Sequence, residues 1–438
     1  MTSVSNNDVV ELFKEVYGEM HDLVPDDQQL ARDISWNDGA KVGDKFKEDV
    51  ILGAEVGITF GGSAQEAFEI NPAIAGAVKQ TEVEAYVTIL PSILPFATIS
   101  RSLGDKQAFA SATKFITMNN IKSHNALKEI ARWYGQSSSG LGTVSYYSGT
   151  YRGSVLSNGT GTVNGVAFTN GVNTTTKQIL FQQGQFAAGH WVGKKNIKVK
   201  QIATSSGTVV AAGTLQGVQA GYGYITVDFT PVAASSATSH KLVFDGWQNS
   251  GEMYGVQYIL STSGTLFGIN NNTFELFRGN QYNANGSKLS LQMIQTAMAD
   301  AVNGGGLEGE VTAYVNPRSW STLSNTEAGL RVYDQSYQPN NAKNGFMDIE
   351  YYTQTGKITI KACRNVKEGD AFILKRDCWK RSGSAQVGFK VPGVEQDLIK
   401  PLENQAGFQF KSFGDEYIFT YQPSHNVYIY GINDEASS

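Results

Sequence analysis

The residue types that most often carry catalysis or hold metals are sparse in this chain and widely spaced. Its two cysteines, Cys363 and Cys378, exclude a disulfide framework and a multi-thiolate metal site. No phosphate-binding P-loop, HExxH, CxxC or GxSxG motif occurs. The five histidines are scattered and suggest no zinc or catalytic cluster; they are His21, His124, His190, His240 and His425. We therefore expect no enzyme activity, no metal site and no cofactor.

Four weaker patterns each have a simpler interpretation. Residues 33–39 resemble a calcium loop, but the glycine occupies position seven and no glutamate occupies position twelve. Glu82 and Glu84 share one strand face, which we interpret as a solvated or inter-subunit surface. The lysines between residues 194 and 200 are too few to indicate a polyanion site. His124 lies on a predicted helix beside a lysine, and we expect it to be solvated or at an interface.

The composition excludes several classes of protein. The chain has 438 residues, of which 41% are hydrophobic, so it can build a core. Lys and Arg number 35 against 40 Asp and Glu, a net charge of −5, whereas a sequence-independent DNA binder is normally strongly basic. The longest apolar stretch, residues 87–99, contains two prolines and is shorter than the roughly 20 residues that span a bilayer. We therefore expect a soluble protein that does not insert into membranes.

The first hundred residues are predicted to form separate segments that cannot bury their own apolar side chains. Residues 8–20 carry the apolar spacing of a short amphipathic helix, and residues 21–48 read as an extended, mostly polar arm. Residues 56–60 and 83–89 alternate apolar and polar side chains, which predicts a long hairpin with an elaborated tip. A two-stranded hairpin is marginal in water on its own. These pieces make physical sense if neighbouring chains cover them.

The rest of the chain predicts a helix, a β module and an α+β domain. Residues 105–136 form the strongest helix pattern, about 45 Å long. Residues 137–287 are poor in charge and rich in Gly, Ser, Thr and Asn, and short strands between 178 and 248 predict a small all-β insertion. Beyond residue 251, helices alternate with antiparallel hairpins. Two alternating strands, near residues 416–421 and 426–432, close the chain.

This order of elements resembles the major capsid protein of tailed bacteriophages, which has the Hong Kong 97-type fold. The most specific matches are the run from Ser290 through GGGLEGEVTAYVNPRSWSTL, the run GKITIKACRNVKEGDAFIL, and the final FGDEYIFTYQPSHNVYIYGI. The resemblance implies an α+β fold divided into an N-terminal helix and N-arm (1–52), an E-loop (53–100), a P domain with its spine helix (101–145), a β insertion (146–250), an A domain (251–394) and C-terminal strands returning to the P domain (395–438).

The resemblance also implies a structural function. The chain would self-assemble as pentamers and hexamers into an icosahedral head that encloses double-stranded phage DNA. Its expected partners are further copies of itself, a scaffolding protein, a portal and a decoration protein, with assembly in the host bacterial cytoplasm and no membrane involved. The residues expected at inter-subunit contacts are Trp36 and Phe46 in the arm, Phe68, Ile70, Pro72 and Ile74 at the hairpin tip, and Arg101 and Asp105 at the root of the long helix.

Two other interpretations remain open from the sequence. One keeps the fold but makes the chain an encapsulin-like compartment shell. The other, suggested by residues 137–287, is a β-rich carbohydrate-binding or tail-adhesin protein. Tyr146, Tyr147 and Tyr151 could stack on sugars, although packing in a core or an interface is the simpler expectation.

Overall fold

The computed structural model of the chain describes residues 28–37, 41–42, 45–61, 68–95, 106–144, 147–235, 238–247, 252–260, 263–328, 349–353, 355–389, 399–402 and 407–435. The helix predicted over residues 8–20 lies outside these residues, as do the predicted contact residues Arg101 and Asp105. The α-helices of the described residues are α1 Gln29–Asp33, α2 Lys106–Tyr134, α3 Ala188–Trp191, α4 Val256–Ile259, α5 Leu291–Gly305 and α6 Pro317–Ala328, with short 3₁₀ turns at Glu275–Phe277, Arg376–Cys378 and Pro423–His425.

Helix α2 confirms the long helix predicted from the sequence. Its 29 residues include neither glycine nor proline, so the backbone can run unbroken for about 43 Å. Gly135 follows the last turn, and a Cβ atom there would lie 2.1 Å from the carbonyl oxygen of Met253. The helix therefore ends at a position where only glycine leaves room for the backbone of the segment around Met253.

A hairpin precedes this helix, but its strands differ from the predicted ones. Strands β1 (Lys41–Val42), β2 (Lys45–Ile51) and β3 (Val78–Val83) form an antiparallel sheet in which Phe46 pairs with Val83 and Ile51 with Val78. Residues 52–77, here called the long loop, connect β2 to β3. The prediction that residues 56–60 form a hairpin strand was wrong, because Val56 makes only an isolated bridge to Ile74. Phe46 and Val50 of β2 are buried. The charged residues between and beside them made this segment look polar in the sequence.

A second sheet joins the hairpin to the end of the chain. Strand β4 (Tyr86–Pro95) pairs along its whole length with β25 (Gly407–Thr420), from Tyr86 opposite Glu416 to Pro95 opposite Gly407. The other edge of β25 takes β23 (Trp379–Gly388) and β24 (Ile399–Pro401). Helix α2 lies against this sheet through residues of β4, β23 and β25.

The charge-poor region forms an all-β module. Its strands run from Thr143 to Phe244, so the module begins earlier in the chain than the one predicted between residues 178 and 248. Its main sheet has the order β10-β11-β14-β13-β12-β15-β5. The strands are β5 Thr143–Val144, β10 Val172–Asn173, β11 Gln178–Leu180, β12 Lys198–Ala203, β13 Val209–Gln219, β14 Tyr224–Val227 and β15 His240–Phe244, beside two small hairpins, β6 Gly149–Tyr151 with β7 Ser154–Leu156 and β8 Gly161–Val163 with β9 Val166–Phe168. Ile130 of α2 belongs to the core of this module, so the module is packed onto the long helix.

The third sheet is mixed and carries two helices. Its order is β18-β26-β22-β19-β21-β20, and its strands are β18 Asn280–Asn283, β19 Val311–Val315, β20 Ile349–Thr353, β21 Gly356–Ala362, β22 Ala371–Leu374 and β26 Val427–Tyr430; a small hairpin of β16 Thr265–Leu266 and β17 Ile269–Asn270 lies apart from it. Helix α5 is capped by the Ser290 side chain, which accepts a hydrogen bond from the Met293 amide, and it ends at Gly306 in the left-handed region. Strand β26 lies inside this sheet, between β18 and β22.

A cluster of buried charges fastens α2 to the second sheet. The Glu416 carboxylate on β25 accepts two hydrogen bonds of 2.9 Å from Arg132 and lies 3.0 Å from the Lys128 ammonium. Arg381 on β23 adds a third cation at 3.2 Å. Burial alone would raise the pKa of Glu416, but Arg132 and Lys128 hold it well below its ordinary value. The carboxylate therefore remains charged and pairs with three basic side chains from two elements.

The same cluster holds residues 28–37 of the predicted arm. The carboxylate of Glu129 on α2 accepts hydrogen bonds from the amides of Leu30 and Ala31, at 2.6 and 3.3 Å, and from Arg132 at 2.8 Å. Farther along the arm, Asp33 pairs with Lys361 at 3.1 Å. The long helix, the arm and the second sheet thus share one network of ionic contacts.

Replacing Glu416 with glutamine tests how much this network contributes. The substitution leaves Lys128 and Arg132 buried, and Arg381 partly buried, without their shared carboxylate, so we expect the free energy of unfolding to fall by about 3–5 kcal/mol. Urea denaturation of the unassembled chain measures the loss. The matched control is Glu82→Gln, which removes the exposed pair that Glu82 forms with Lys45 and should leave the unfolding midpoint unchanged. Equal losses in the two variants would contradict the role of the cluster.

Candidate inter-subunit surface

The long loop exposes a series of large apolar side chains. Phe60 is 86% exposed, Ile70 is 76% exposed and Ile58 is 71% exposed. The others that are more than half exposed are Val56, Phe68 and Ile74. Soluble monomers rarely expose apolar residues in such a concentrated series, and series of this kind usually mark a binding surface.

Polar contacts within the loop fix its two limbs against each other. Val56 and Ile74 exchange backbone hydrogen bonds of 3.1 and 2.9 Å. The Asn71 amide donates to the Thr59 hydroxyl at 2.8 Å, and the Asn71 side chain donates to the Ile58 carbonyl at 2.9 Å. The apolar side chains are therefore presented from a folded-back loop without a core of their own.

Strand β4 presents a second apolar surface on its outer side. Its outward-facing residues Val87 and Ile89 are 54% and 55% exposed, and Ile93 is 47% exposed. On the inner side Thr88 and Ser92 face α2 and alternate with leucines, of which Leu94 is buried. A strand that covers a core with one side usually has a polar outer side. Here the outer side is apolar as well, so it is suited to contact another molecule.

Hydrogen bonds to α2 explain the polar residues on the inner side of β4. His124 bonds to Ser412 and Thr88, each at 2.8 Å, and Asn120 donates to Ser92 at 2.7 Å. Burial, with lesser contributions from Lys128 and Arg132, lowers the pKa of His124 to about 4, so its ring is neutral at pH 7. The expectation that His124 is solvated or at an interface was wrong, because its side chain lies in this buried polar seam.

The predicted contact residues fall into three groups. Phe68, Ile70, Pro72 and Ile74 all lie exposed on the long loop, as a contact surface requires. Trp36 is half-buried and pairs with Arg381 through a backbone bridge. Phe46 is 3% exposed and packs against Tyr417, with ring centroids 4.7 Å apart. Its inter-subunit role stays a prediction, and its position gives it a packing role within the chain.

The exposed residues Val56, Ile58 and Phe60, and those on the outer face of β4, were not among the predicted contact residues. Their signal was present as the alternation over residues 56–60 and 83–89. Alternation indicates that side chains point to two sides, but it does not show which side is buried. The pairing of β4 with β25, more than 300 residues away, decides this for β4.

The other patterns considered for chemistry have structural roles. Asp33 of the calcium-like segment is engaged by Lys361 and by the hydroxyl of Tyr314. Glu82 and Glu84 both face Lys45 on the surface. Among the residues that the structure describes, no group of three or more His, Cys, Asp or Glu side chains is placed to hold a metal ion. Within the same part of the chain, no helix is both long and apolar enough to cross a membrane.

Comparisons with known proteins agree with this architecture. Residues 240–383, about a third of the chain, match the model of the SU10 major capsid protein family. The chain is similar to that of the cyanophage A-1(L) capsid asymmetric unit, with 10% identity, 96% of both chains covered and a TM-score of 0.51. Similarity is lower to Mycobacterium phage Bobi (8% identity, 98% of both chains, TM-score 0.43) and to the holo-SrpI encapsulin complex of Synechococcus elongatus PCC 7942 (6% identity, 97% of this chain and 93% of that chain, TM-score 0.40). No curated protein matches the chain in sequence.

These matches confirm the resemblance to tailed-phage major capsid proteins and the Hong Kong 97-type α+β fold predicted from the sequence.

Two phenylalanine substitutions, one on the long loop and one in the core, test this assignment of exposed and buried residues. Phe60→Ser should change the free energy of unfolding of the unassembled chain by less than about 0.5 kcal/mol, because the ring is almost fully exposed. Phe46→Ala should cost about 3–5 kcal/mol, because it leaves a cavity beside Tyr417. Urea denaturation followed by tryptophan fluorescence measures both. A large loss for Phe60→Ser would show that the loop is part of the monomer's own core.

Proposed function

We propose that this chain, which has the fold of tailed-phage major capsid proteins, assembles as pentamers and hexamers into the icosahedral head that encloses double-stranded phage DNA. The observation that carries the proposal is the apolar long loop, which the described part of its own chain does not cover. The outer face of β4 adds a second apolar surface on the same chain. Two different surfaces on one chain suit the repeated head-to-tail contacts that close into rings.

Assembly would stabilise the shell through many moderate contacts. The exposed side chains of the loop and of β4 include several isoleucines and phenylalanines, and burying such a side chain contributes about 1.5–3 kcal/mol. Each contact also costs the ordering of two chains, so a single pair would associate weakly. Closure of a shell makes every subunit bind several neighbours at once, and the free energies then add.

The charge of the chain fits a container for DNA. A net charge of −5 gives the chain no general affinity for phosphates, so packaged DNA would touch the wall without binding it tightly. A scaffolding protein would guide closure, a portal would occupy one vertex, and a decoration protein could bind the outside.

The alternatives make different demands on the chain. An encapsulin-like shell would use the same contacts but would enclose protein, so the content of purified particles separates the two functions. The carbohydrate-binding alternative needs exposed aromatic rings. Tyr151 is instead buried and packs against Tyr147, while Tyr146 lies outside the described residues.

Charge on the loop should prevent assembly. The double variant Phe68→Asp and Ile74→Asp places two carboxylates on the proposed contact surface, where burial would leave them unpaired. We expect particle yield to fall at least tenfold while circular dichroism shows unchanged helix content. Val155→Asp is the matched control, since Val155 is 76% exposed but lies on the β module. Normal particles from the double variant would refute the role of the loop.

The outer face of β4 gives a separate test. Ile89→Asp with Ile93→Asp should also reduce particle yield, because these residues are exposed in the isolated chain. Thermal unfolding of the unassembled variant should match that of the parent chain, since neither side chain is buried there. Unchanged assembly of this variant would limit the contact surface to the loop.

A further inference from the structure

The β module, the six-stranded sheet and the last described residues of the chain meet at a cluster of five charged side chains. Arg152 of the module donates to Glu368 from its side chain and to Glu435 from its backbone amide. Arg318 of α6 donates to Glu435 at 3.3 Å and lies 3.9 Å from Glu368. Asp434 accepts a hydrogen bond of 2.8 Å from the hydroxyl of Ser319. Each of the three parts therefore contributes charged groups to one junction.

Backbone contacts beside the cluster hold the same three parts together. The Gly369 amide donates to the Gly184 carbonyl at 2.8 Å, and the Glu368 amide donates to the Phe186 carbonyl at 3.1 Å. The Ile432 amide donates to the Gly369 carbonyl at 3.0 Å. The Arg152 guanidinium, 4% exposed, lies over the ring of Phe186 at 5.3 Å. These hydrogen bonds exist only while the module and the C-terminal residues lie against the six-stranded sheet, a state here called docked.

The cluster carries one more carboxylate than it has cations. Two arginines face three carboxyl groups, and both arginines are paired with Glu368 and Glu435. Asp434 has no ion pair within 4.0 Å among the described side chains. If all five groups are ionised, the unbalanced negative charge therefore lies on Asp434.

The surroundings of Asp434 favour a proton there. Its Oδ1 atom is buried and accepts no hydrogen bond from a described residue, and the same holds for the Oε1 atom of Gln183. Both residues line one cavity of about 20 Å³ at the junction. An ionised carboxylate is disfavoured there, because its buried Oδ1 atom would lack a donor from the described residues, whereas a protonated carboxyl carries no charge to stabilise. Protonation would also remove the unbalanced charge.

We propose that Asp434 is a proton-sensitive latch that holds the β module and the C-terminal residues on the six-stranded sheet when its carboxyl is protonated and loosens them when it is ionised. The groups that face it are Arg318 and Ser319 from α6, Glu368 from the turn before β22, Arg152 from the module, and its neighbour Glu435. Tyr151 also lines the cavity, and burial raises its pKa well above its ordinary value, so it stays neutral. The latch lies within one chain and does not depend on the proposed function.

The direction of the pH effect follows from the carboxyl group. Burial, aided by Glu368 and Glu435, raises the pKa of Asp434 from 3.8 to about 6. A raised pKa means that the docked state binds the proton more tightly than the open state. The docked state is therefore favoured below pH 6 and loses stability as the pH rises through 6. For this shift, opening of the junction becomes about tenfold more frequent at pH 7 than at pH 5.

Hydrogen exchange of the full-length unassembled chain at pH 5 and pH 7 tests the latch. After correction for the intrinsic pH dependence of exchange, the amides of Glu368, Gly369 and Ile432 should be about tenfold less protected at pH 7. Amides of β19, inside the six-stranded sheet, serve as the internal reference for global unfolding. Equal protection of the junction at the two pH values would overturn the proposal.

Two variants assign the effect to Asp434. Asp434→Asn is neutral at every pH and can donate, so its junction should show the same protection at pH 5 and pH 7, close to that of the parent chain at pH 5. Asp228→Asn is the control, because Asp228 is an exposed carboxylate of the same module that bonds to Thr214 and has a lowered pKa. It should keep the parent's pH dependence. A parent-like pH dependence in Asp434→Asn would assign the effect to another group and refute the latch.

Discussion

The Glu416 carboxylate and the three cations around it are the contact on which the rest of the subunit depends. Lys128 and Arg132 come from α2 and Arg381 from β23, while Glu416 lies in the middle of β25. A buried charge is tolerated only when its partners are in place. The cluster therefore specifies how the long helix lies on the second sheet. Through Glu129 it also holds the backbone of the arm at Leu30 and Ala31.

This constraint explains the polar residues on the inner side of β4. Helix α2 brings charged and polar groups to the sheet, and its His124 bonds to Thr88 of β4 and to Ser412 of β25. The outer side of β4 is apolar and exposed. The long loop has no sheet or helix beneath its apolar side chains in the described part of the chain. The chain thus exposes apolar side chains both on the long loop and on the outer side of β4, which is the arrangement that favours association.

Helices and short strands, which depend mainly on nearby residues, could be predicted from the sequence. The apolar spacing over residues 105–136 predicts α2, and Ser290 and Gly306 mark the two ends of α5. Strands of the six-stranded sheet follow from short apolar runs such as residues 371–374. The resemblance to a capsid fold followed from the order of these elements, and the exposed loop residues Phe68 and Ile74 were identified from their position in it.

Long-range pairing accounts for what the sequence could not predict. Lys128 and Arg132 look like solvated residues of a helix, and only their approach to Glu416, 284 residues after Arg132, reveals that they are buried. His124 was misjudged for the same reason. Phe46 lies in a segment whose charges suggested an exposed arm, yet its pairing with β3 places it in the core. The junction at Asp434 combines residues 152, 318, 368 and 434, which no local pattern connects.

Electron microscopy of the purified chain, alone and together with the products of neighbouring genes, tests the central claim most directly. The claim is that the apolar loop and the outer face of β4 are surfaces for further copies of the same chain. The account predicts closed polyhedral shells tens of nanometres across. Small, uniform, protease-resistant particles under every condition would contradict it.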